Sequence, residues 1–155
     1  MKYKPNFHVV LHSPEIPQNT GAIGRTCVAL EAKLWLVRPL GFRMDENTLR
    51  RAGLDYWQHL EWEIADTWNS LLGSLDSLRF CYFSRFAKRD FRSVEYQEQD
   101  VLVFGSESAG LPNSITEPNS DWLVGIPTSE KVRSLNLASA VAVAGYECQR
   151  QLSAN

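Results

Sequence analysis

The sequence predicts an α/β protein built on a parallel sheet, and three observations carry that expectation. Strand and helix signals alternate along the 155 residues, without repeats or low-complexity linkers. The strand signals are short continuous apolar runs, as in Phe80-Cys-Tyr-Phe83 and Val101-Leu-Val-Phe104. A strand buried on both faces of a parallel sheet reads this way, whereas a half-solvated strand alternates. Two late strands also run into polar loops, at Gly105-Ser-Glu-Ser-Ala-Gly-Leu-Pro112 and after Gly125-Ile-Pro127. Such strand ends are where open α/β sheets bind ligands, because unpaired backbone groups there can face a cleft.

The elements follow in order. Residues 7–11 form the first expected strand, and Pro14 and Pro17 make 13–17 a loop by restricting themselves and their predecessors. Asn19 or Thr20 then caps a helix whose apolar face is Ile23, Cys27 and Leu30. Residues 34–37 give the second strand. A short helix is expected over 45–51, starting at Asp45 and stopped near Gly53, and another over 66–75. Strands at 80–83, 101–104 and 122–126 complete the sheet. The last helix, over 136–151, carries an apolar stripe of Leu137, Val141, Ala144 and Cys148 and a face of small residues, Ala138, Ala142 and Gly145. Small residues allow close backbone approach. The helix therefore reads either as an ordinary core helix or as one lying between the sheet and a second subunit.

A chain of this length with 44% hydrophobic residues holds one core, so 1–155 is expected to be a single domain. The formal charge of −2 gives no global attraction to polyanions, and RNA contact would need local basic patches. Arg50 and Arg51, then Lys88, Arg89 and Arg92, then Lys131 and Arg133 supply three. Cys27, Cys81 and Cys148 are odd in number and lie far apart, which points to reduced, buried thiols. His8, His12 and His59 have no ligand spacing with each other or with the cysteines, so no metal site is expected. No apolar run is long enough to span a membrane, and a cytoplasmic protein is the expectation. The five tryptophans read as core or interface residues rather than base-stacking platforms. A Rossmann dinucleotide site would place a Gly-x-Gly-x-x-Gly turn after the first strand; this chain has His12-Ser-Pro-Glu-Ile-Pro17 there.

The order of three motifs adds a resemblance. Asn19-Thr-Gly-Ala-Ile-Gly-Arg25, Phe104-Gly-Ser-Glu-Ser-Ala-Gly-Leu-Pro112 and Ser134-Leu-Asn-Leu-Ala-Ser139 resemble the three motifs of the SPOUT superfamily of RNA methyltransferases. Pro14-Glu-Ile-Pro17 and Leu49-Arg-Arg-Ala-Gly-Leu-Asp-Tyr-Trp57 resemble its small TrmL (YibK-like) subgroup, which methylates the ribose 2′-hydroxyl of the tRNA wobble nucleotide, cytidine or uridine 34. The resemblance implies an α/β knot: a parallel sheet whose C-terminal segment threads a loop in a deep trefoil, an exception to the usual rule of unknotted connections. It also implies S-adenosylmethionine as cofactor, held by loops after Phe83, Phe104 and Ile126 and leaving as S-adenosylhomocysteine, with a homodimer and a tRNA substrate as partners.

By the same resemblance, Phe83, Gly105, Ile126, Ser134 and Leu135 are the expected cofactor contacts. Arg25, Asn19, Glu107, Ser134 and Asn136 are the expected catalytic set. A protonated guanidinium carries no acceptor, so a bidentate clamp on the phosphate beside the target ribose suits Arg25 better than the role of base. Asn19 and Asn136 can each donate and accept, Ser134 offers a hydroxyl, and Glu107 can orient those groups or accept from a ribose hydroxyl. Each has a purely structural reading beside the catalytic one: helix caps for Asn19, Ser134 and Asn136, and a carboxylate bonding loop N–H groups for Glu107. The alternatives in function are 2′-O-methylation of another RNA such as ribosomal RNA, a non-catalytic RNA-binding knot, and a nucleotide-binding α/β domain, which would lack its phosphate loop.

Overall fold

Six strands form one parallel sheet: β1 (His8–His12), β2 (Lys33–Val37), β3 (Trp62–Ala65), β4 (Phe80–Phe83), β5 (Val101–Phe104) and β6 (Leu123–Val124). Their order is β3-β2-β1-β5-β4-β6, so β1 and β5 lie at the centre. The computed structural model describes residues 4–45 and 55–154. Its α-helices are α1 (Pro17–Leu30), α2 (Trp68–Ser74), α3 (Asn113–Thr116) and α4 (Leu137–Ser153), with 3-10 helices at Asp55–His59, Phe91–Ser93 and Glu117–Trp122.

Successive strand residues point to opposite faces, and here both faces are buried. Val9, Leu11, Leu34, Leu36, Cys81, Phe83, Leu102 and Phe104 pack into one core with Ile23 and Cys27 of α1 and Val141 and Ala144 of α4. The alternate residues Val10, Trp35, Val37, Tyr82, Val101 and Val103 enter a second core with Leu71 of α2 and Ile115 of α3. This double burial produces the continuous apolar runs in the sequence.

Several expected boundaries move for identifiable reasons. Neither Asn19 nor Thr20 caps α1: the N-cap is Ile16, without a side-chain cap, and Pro17 occupies the first turn. Proline's fixed φ and missing N–H suit that position, which carries Asn19 inside the helix. The strand β3 was not expected because Glu63 interrupts its apolar pattern; it is an edge strand paired only with β2. The final strand is shorter than 122–126, and Trp122 belongs to the preceding 3-10 helix. Residues 46–51 of the expected helix over 45–51 lie outside the described residues. Thr67 rather than Asp66 starts α2, through a reciprocal capping box with Ser70.

Although β6 lies at the sheet edge, the helix that follows it returns to pack on α1 beside the centre. A Cβ on Gly145 would stand 2.8 Å from Leu30 Cδ1, so this small residue serves close packing against α1 inside the chain rather than against a second subunit. Val143 and Tyr146 remain exposed. Gln151 pins the far end of α4 by donating to the Val94 carbonyl at 3.0 Å and accepting from the Tyr96 N–H at 2.9 Å. The three cysteines are free and buried, and burial pushes the Cys27 thiol up to about 12.

His8 is buried, and its neighbours fix its tautomer. Nδ1 accepts from Trp35 Nε1–H at 3.1 Å, leaving Nε2–H to donate to Gln99 Oε1, also at 3.1 Å. Burial lowers its pKa below the ordinary 6.5, nearby Lys33 adds to the shift, and the Gln99 bond opposes it. The folded chain thus holds His8 neutral while the unfolded chain takes up a proton near 6.5. The unfolded state binds the extra proton, so stability is fully present above that value and falls as pH drops below it. Denaturant unfolding at pH 7.5 and pH 5.5 is expected to show this loss, and His8→Gln is expected to flatten it.

Candidate functional site

A cavity of about 430 Å³ opens at the C-terminal ends of β1, β4, β5 and β6. This volume falls within the roughly 300–1,000 Å³ of small-molecule sites. Phe83 and Phe104, on neighbouring strands, stack with ring centroids 4.5 Å apart and planes 14° from parallel, and both line the cavity. Strand parity sends Tyr82 to the opposite core, which settles Phe83 as the β4 residue at the site. Ile126, Leu111, Leu137 and Ala140 add apolar wall, and Ser84, Ser106, Thr128 and Ser134 add hydroxyls.

The loop after β5 folds back on itself to make one wall. Gly105 is buried there, and a Cβ on it would stand 2.0 Å from the carbonyl carbon of Gly110. Gly110 has φ +68°, in the left-handed region, and its N–H donates to the Ser106 carbonyl at 3.0 Å. The two glycines are needed for different reasons, close approach at one and backbone sign at the other.

Two carboxylates lock this loop to the start of α1. Glu107 Oε1 accepts from the Glu15 N–H at 2.8 Å, and Oε2 accepts from the Ile16 N–H at 2.9 Å and from Asn19 Nδ2 at 3.2 Å. Reciprocally, Glu15 Oε1 accepts from the Ser108 hydroxyl at 2.5 Å and its N–H at 3.2 Å. The Ser108 hydroxyl, then its N–H, then the Ser106 hydroxyl hold the Glu15 carboxyl below its usual range. Glu107 thus does what its structural reading expected, bonding the N–H groups of Glu15 and Ile16 just before α1, and it places negative charge at the N-terminus of that helix, a favourable position.

The same contacts reach the third segment. Asn136 is the N-cap of α4, its Oδ1 accepting from the N–H groups of Ala138 at 2.9 Å and Ser139 at 3.3 Å. Its Nδ2 is then left to donate, and does so to Asn19 Oδ1 at 3.2 Å. Asn19 Nδ2 in turn donates to the carboxylate, an acceptor only. Backbone donors at one end and Glu107 at the other therefore fix the polarity of both amides.

The cavity brings together every expected cofactor contact, Phe83, Gly105, Ile126, Ser134 and Leu135, and three further expected residues, Asn19, Glu107 and Asn136. Ser134 and Leu135 are exposed in the segment leading to α4, and the capping role falls to Asn136. Arg25 is not among the lining residues; it lies exposed on α1 with its guanidinium 5.7 Å from the centre of the Tyr56 ring. His12 packs edge-on to Trp68, at 6.0 Å, away from the cavity lining. Of the basic groups, Arg133 lines the cavity, Arg92 is paired with Asp90 at 2.7 Å, and Arg50 and Arg51 lie outside the described residues. Sequence reasoning missed Glu15, Ser108, Arg85 and Phe86. The signal for the last two was an apolar residue inside a basic run where a loop is normally polar. No group of three histidine, cysteine or carboxylate residues could hold a metal among the described residues.

Chemically, the site offers a stacked aromatic floor, hydroxyls and oriented amides, and no glycine cradle for a pyrophosphate follows β1. The profile of the SpoU rRNA Methylase family matches residues 6–146. A Methylovorus glucosotrophus (strain SIP3-4) protein named tRNA (cytidine(34)-2′-O)-methyltransferase is 38% identical over 146 residues, covering 94% of this chain and 95% of that protein. A solved structure described as giving structural insights into the 2-OH methylation of C/U34 on tRNA has a TM-score of 0.88 at 43% identity, covering 96% of this chain and 97% of the other. An AdoMet-bound rRNA methyltransferase from Sinorhizobium meliloti has a TM-score of 0.83 at 26% identity, covering 98% of this chain and 62% of the other. With its fold, its site and a family match running through nearly all of its length, the chain belongs to the SpoU methylase family.

Proposed function

We propose that this chain transfers a methyl group from S-adenosylmethionine to the ribose 2′-hydroxyl of the wobble nucleotide, cytidine or uridine 34, of tRNA. The observation that carries the reading is the Glu107–Asn19–Asn136 relay beside a cavity with a stacked aromatic floor, which joins the three family motifs into one arrangement. The names of relatives at 38% and 43% identity support tRNA over ribosomal RNA, and the intact relay argues against a non-catalytic module.

The residues present fit the cofactor. The Phe83 and Phe104 floor with Ile126 suits a purine and the aliphatic part of a methionine chain, Gly105 keeps the wall thin, and Ser134 with the Leu135 backbone supplies polar contacts. When bound, this group supplies an electrophilic sulfonium methyl. The chain's own task is then placement of the ribose oxygen, and positioning alone can supply a large share of the acceleration. Asn19 and Asn136, with fixed amide polarity, present oriented groups at the cavity wall, and Glu107 holds them in place. Arg25 stands outside the wall, where a cation suits the phosphate flanking the target ribose.

The chain returns from the edge strand β6 to pack on α1, and a trefoil knot in this C-terminal segment belongs to this reading. So does a homodimer in which Val143 and Tyr146, exposed on α4, face a second copy. No described helix is long and apolar enough to cross a membrane, in keeping with work on tRNA in the cytoplasm.

Incubation with total tRNA and labelled S-adenosylmethionine, followed by nucleoside mapping, is expected to place 2′-O-methylation at position 34; label at another nucleotide or in ribosomal RNA alone rejects the tRNA assignment. Arg25→Lys should keep part of the RNA binding and lose most turnover, and near-full activity removes Arg25 from the catalytic set. Glu107→Gln puts an NH2 group against backbone donors. It should cost about 1–3 kcal/mol in unfolding experiments and lower kcat on the order of 100-fold through misplaced amides. Sedimentation at assay concentration should show a dimer; a fully active monomer refutes it.

A further inference from the structure

Phe86 lines the cavity and yet is 76% exposed, the most exposed large apolar side chain among the described residues. The turn that carries it is tightly held. The Phe86 N–H donates to Ser84 Oγ and the Ala87 N–H to the Ser84 carbonyl, each at 3.2 Å. The Ser84 N–H donates to Val124 at 3.0 Å, and Gly125 bonds Arg89 at 2.8 Å and Phe91 at 3.0 Å, stitching both ends of the turn to the end of β6. A Cβ on Gly125 would stand 3.2 Å from the carbonyl oxygens of Ser84 and Ala87, so the packing there is already close. The aromatic ring is therefore presented on a fixed support and largely open to solvent, with the Arg85 guanidinium 4.3 Å from the ring centre.

The surrounding charge says what fits on that ring. Residues 84–92 carry Arg85, Lys88, Arg89 and Arg92 against the single carboxylate of Asp90, in a chain whose formal charge is −2. A flat apolar face beside cations is how proteins hold an unstacked nucleobase and its phosphates. From this juxtaposition we infer that Phe86, with Arg85, is a stacking platform for the base of the nucleotide whose ribose enters the cavity. The role rests on the RNA methyltransferase reading above and adds to it a residue that binds the substrate base rather than its ribose.

The test uses tRNA carrying the fluorescent cytidine analogue pyrrolocytosine at position 34. Binding to the unaltered protein should quench its fluorescence through stacking. With Phe86→Ala the quench should be largely lost and RNA affinity should fall about tenfold, the size of one lost base–aromatic stack; Phe86→Tyr should restore both. Calorimetric binding of S-adenosylmethionine should not change. Equal quenching and affinity in Phe86→Ala, while the unaltered protein methylates tRNA, overturns the stacking role alone. Weakened S-adenosylmethionine binding with unchanged RNA affinity assigns the ring to the cofactor, and a changed sedimentation profile assigns it to a second copy; either result overturns it. An unaltered protein that methylates no RNA removes the functional reading, and the stacking role with it.

Discussion

The carboxylate of Glu107 is the constraint on which the site depends. It sits in a loop after the fifth strand, yet three of its partners belong to the chain just after the first strand and to the first turn of α1. A carboxylate can only accept, so it dictates which atom of Asn19 faces it, and through Asn19 it dictates how Asn136 must stand. The α4 cap imposes the same answer from the other side. Polar groups at the mouth of a cavity usually have rotational freedom; these have almost none. Orientation is thus built in before any ligand arrives, which is where positioning catalysis gains most.

The sheet supplies the frame for this arrangement. Strand parity divides the interior into two cores, and all four loops that build the cavity leave the same end of the sheet. The stacked Phe83 and Phe104 of the cavity floor also belong to the core packed by α1 and α4, so the cavity wall and the hydrophobic core are one continuous structure. Gly145 extends the same logic to α4, whose close approach to α1 brings Asn136 within reach of Asn19.

Much of this was legible in the sequence. Continuous apolar runs gave the parallel sheet because burial on both faces leaves that pattern, and the glycine-hinged loops marked the ligand end. Asn19, Glu107 and Asn136 could be named as candidates, but their mutual bonds span 88 to 117 positions, and no local pattern encodes such pairing. The strand β3 was hidden by Glu63, which an edge position tolerates. The start of α1 was misread because the sequence shows a good capping residue in Asn19 and conceals that Pro17 has already begun the helix. Arg25 was named on motif grounds, and its place outside the cavity wall could not be read from spacing. Phe86 was overlooked because a single aromatic in a loop carries no periodicity.

The cap of α4 has a consequence for assembly. Asn136 becomes useful only when the last helix has docked, and its partner lies 117 residues earlier in the chain. A contact of such separation carries a loop-closure cost that docking of the helix must offset. The strands can pair without this contact, so an ordered sheet does not by itself give an ordered pocket. The pocket is complete only once α4 has docked on α1 and brought Asn136 to Asn19.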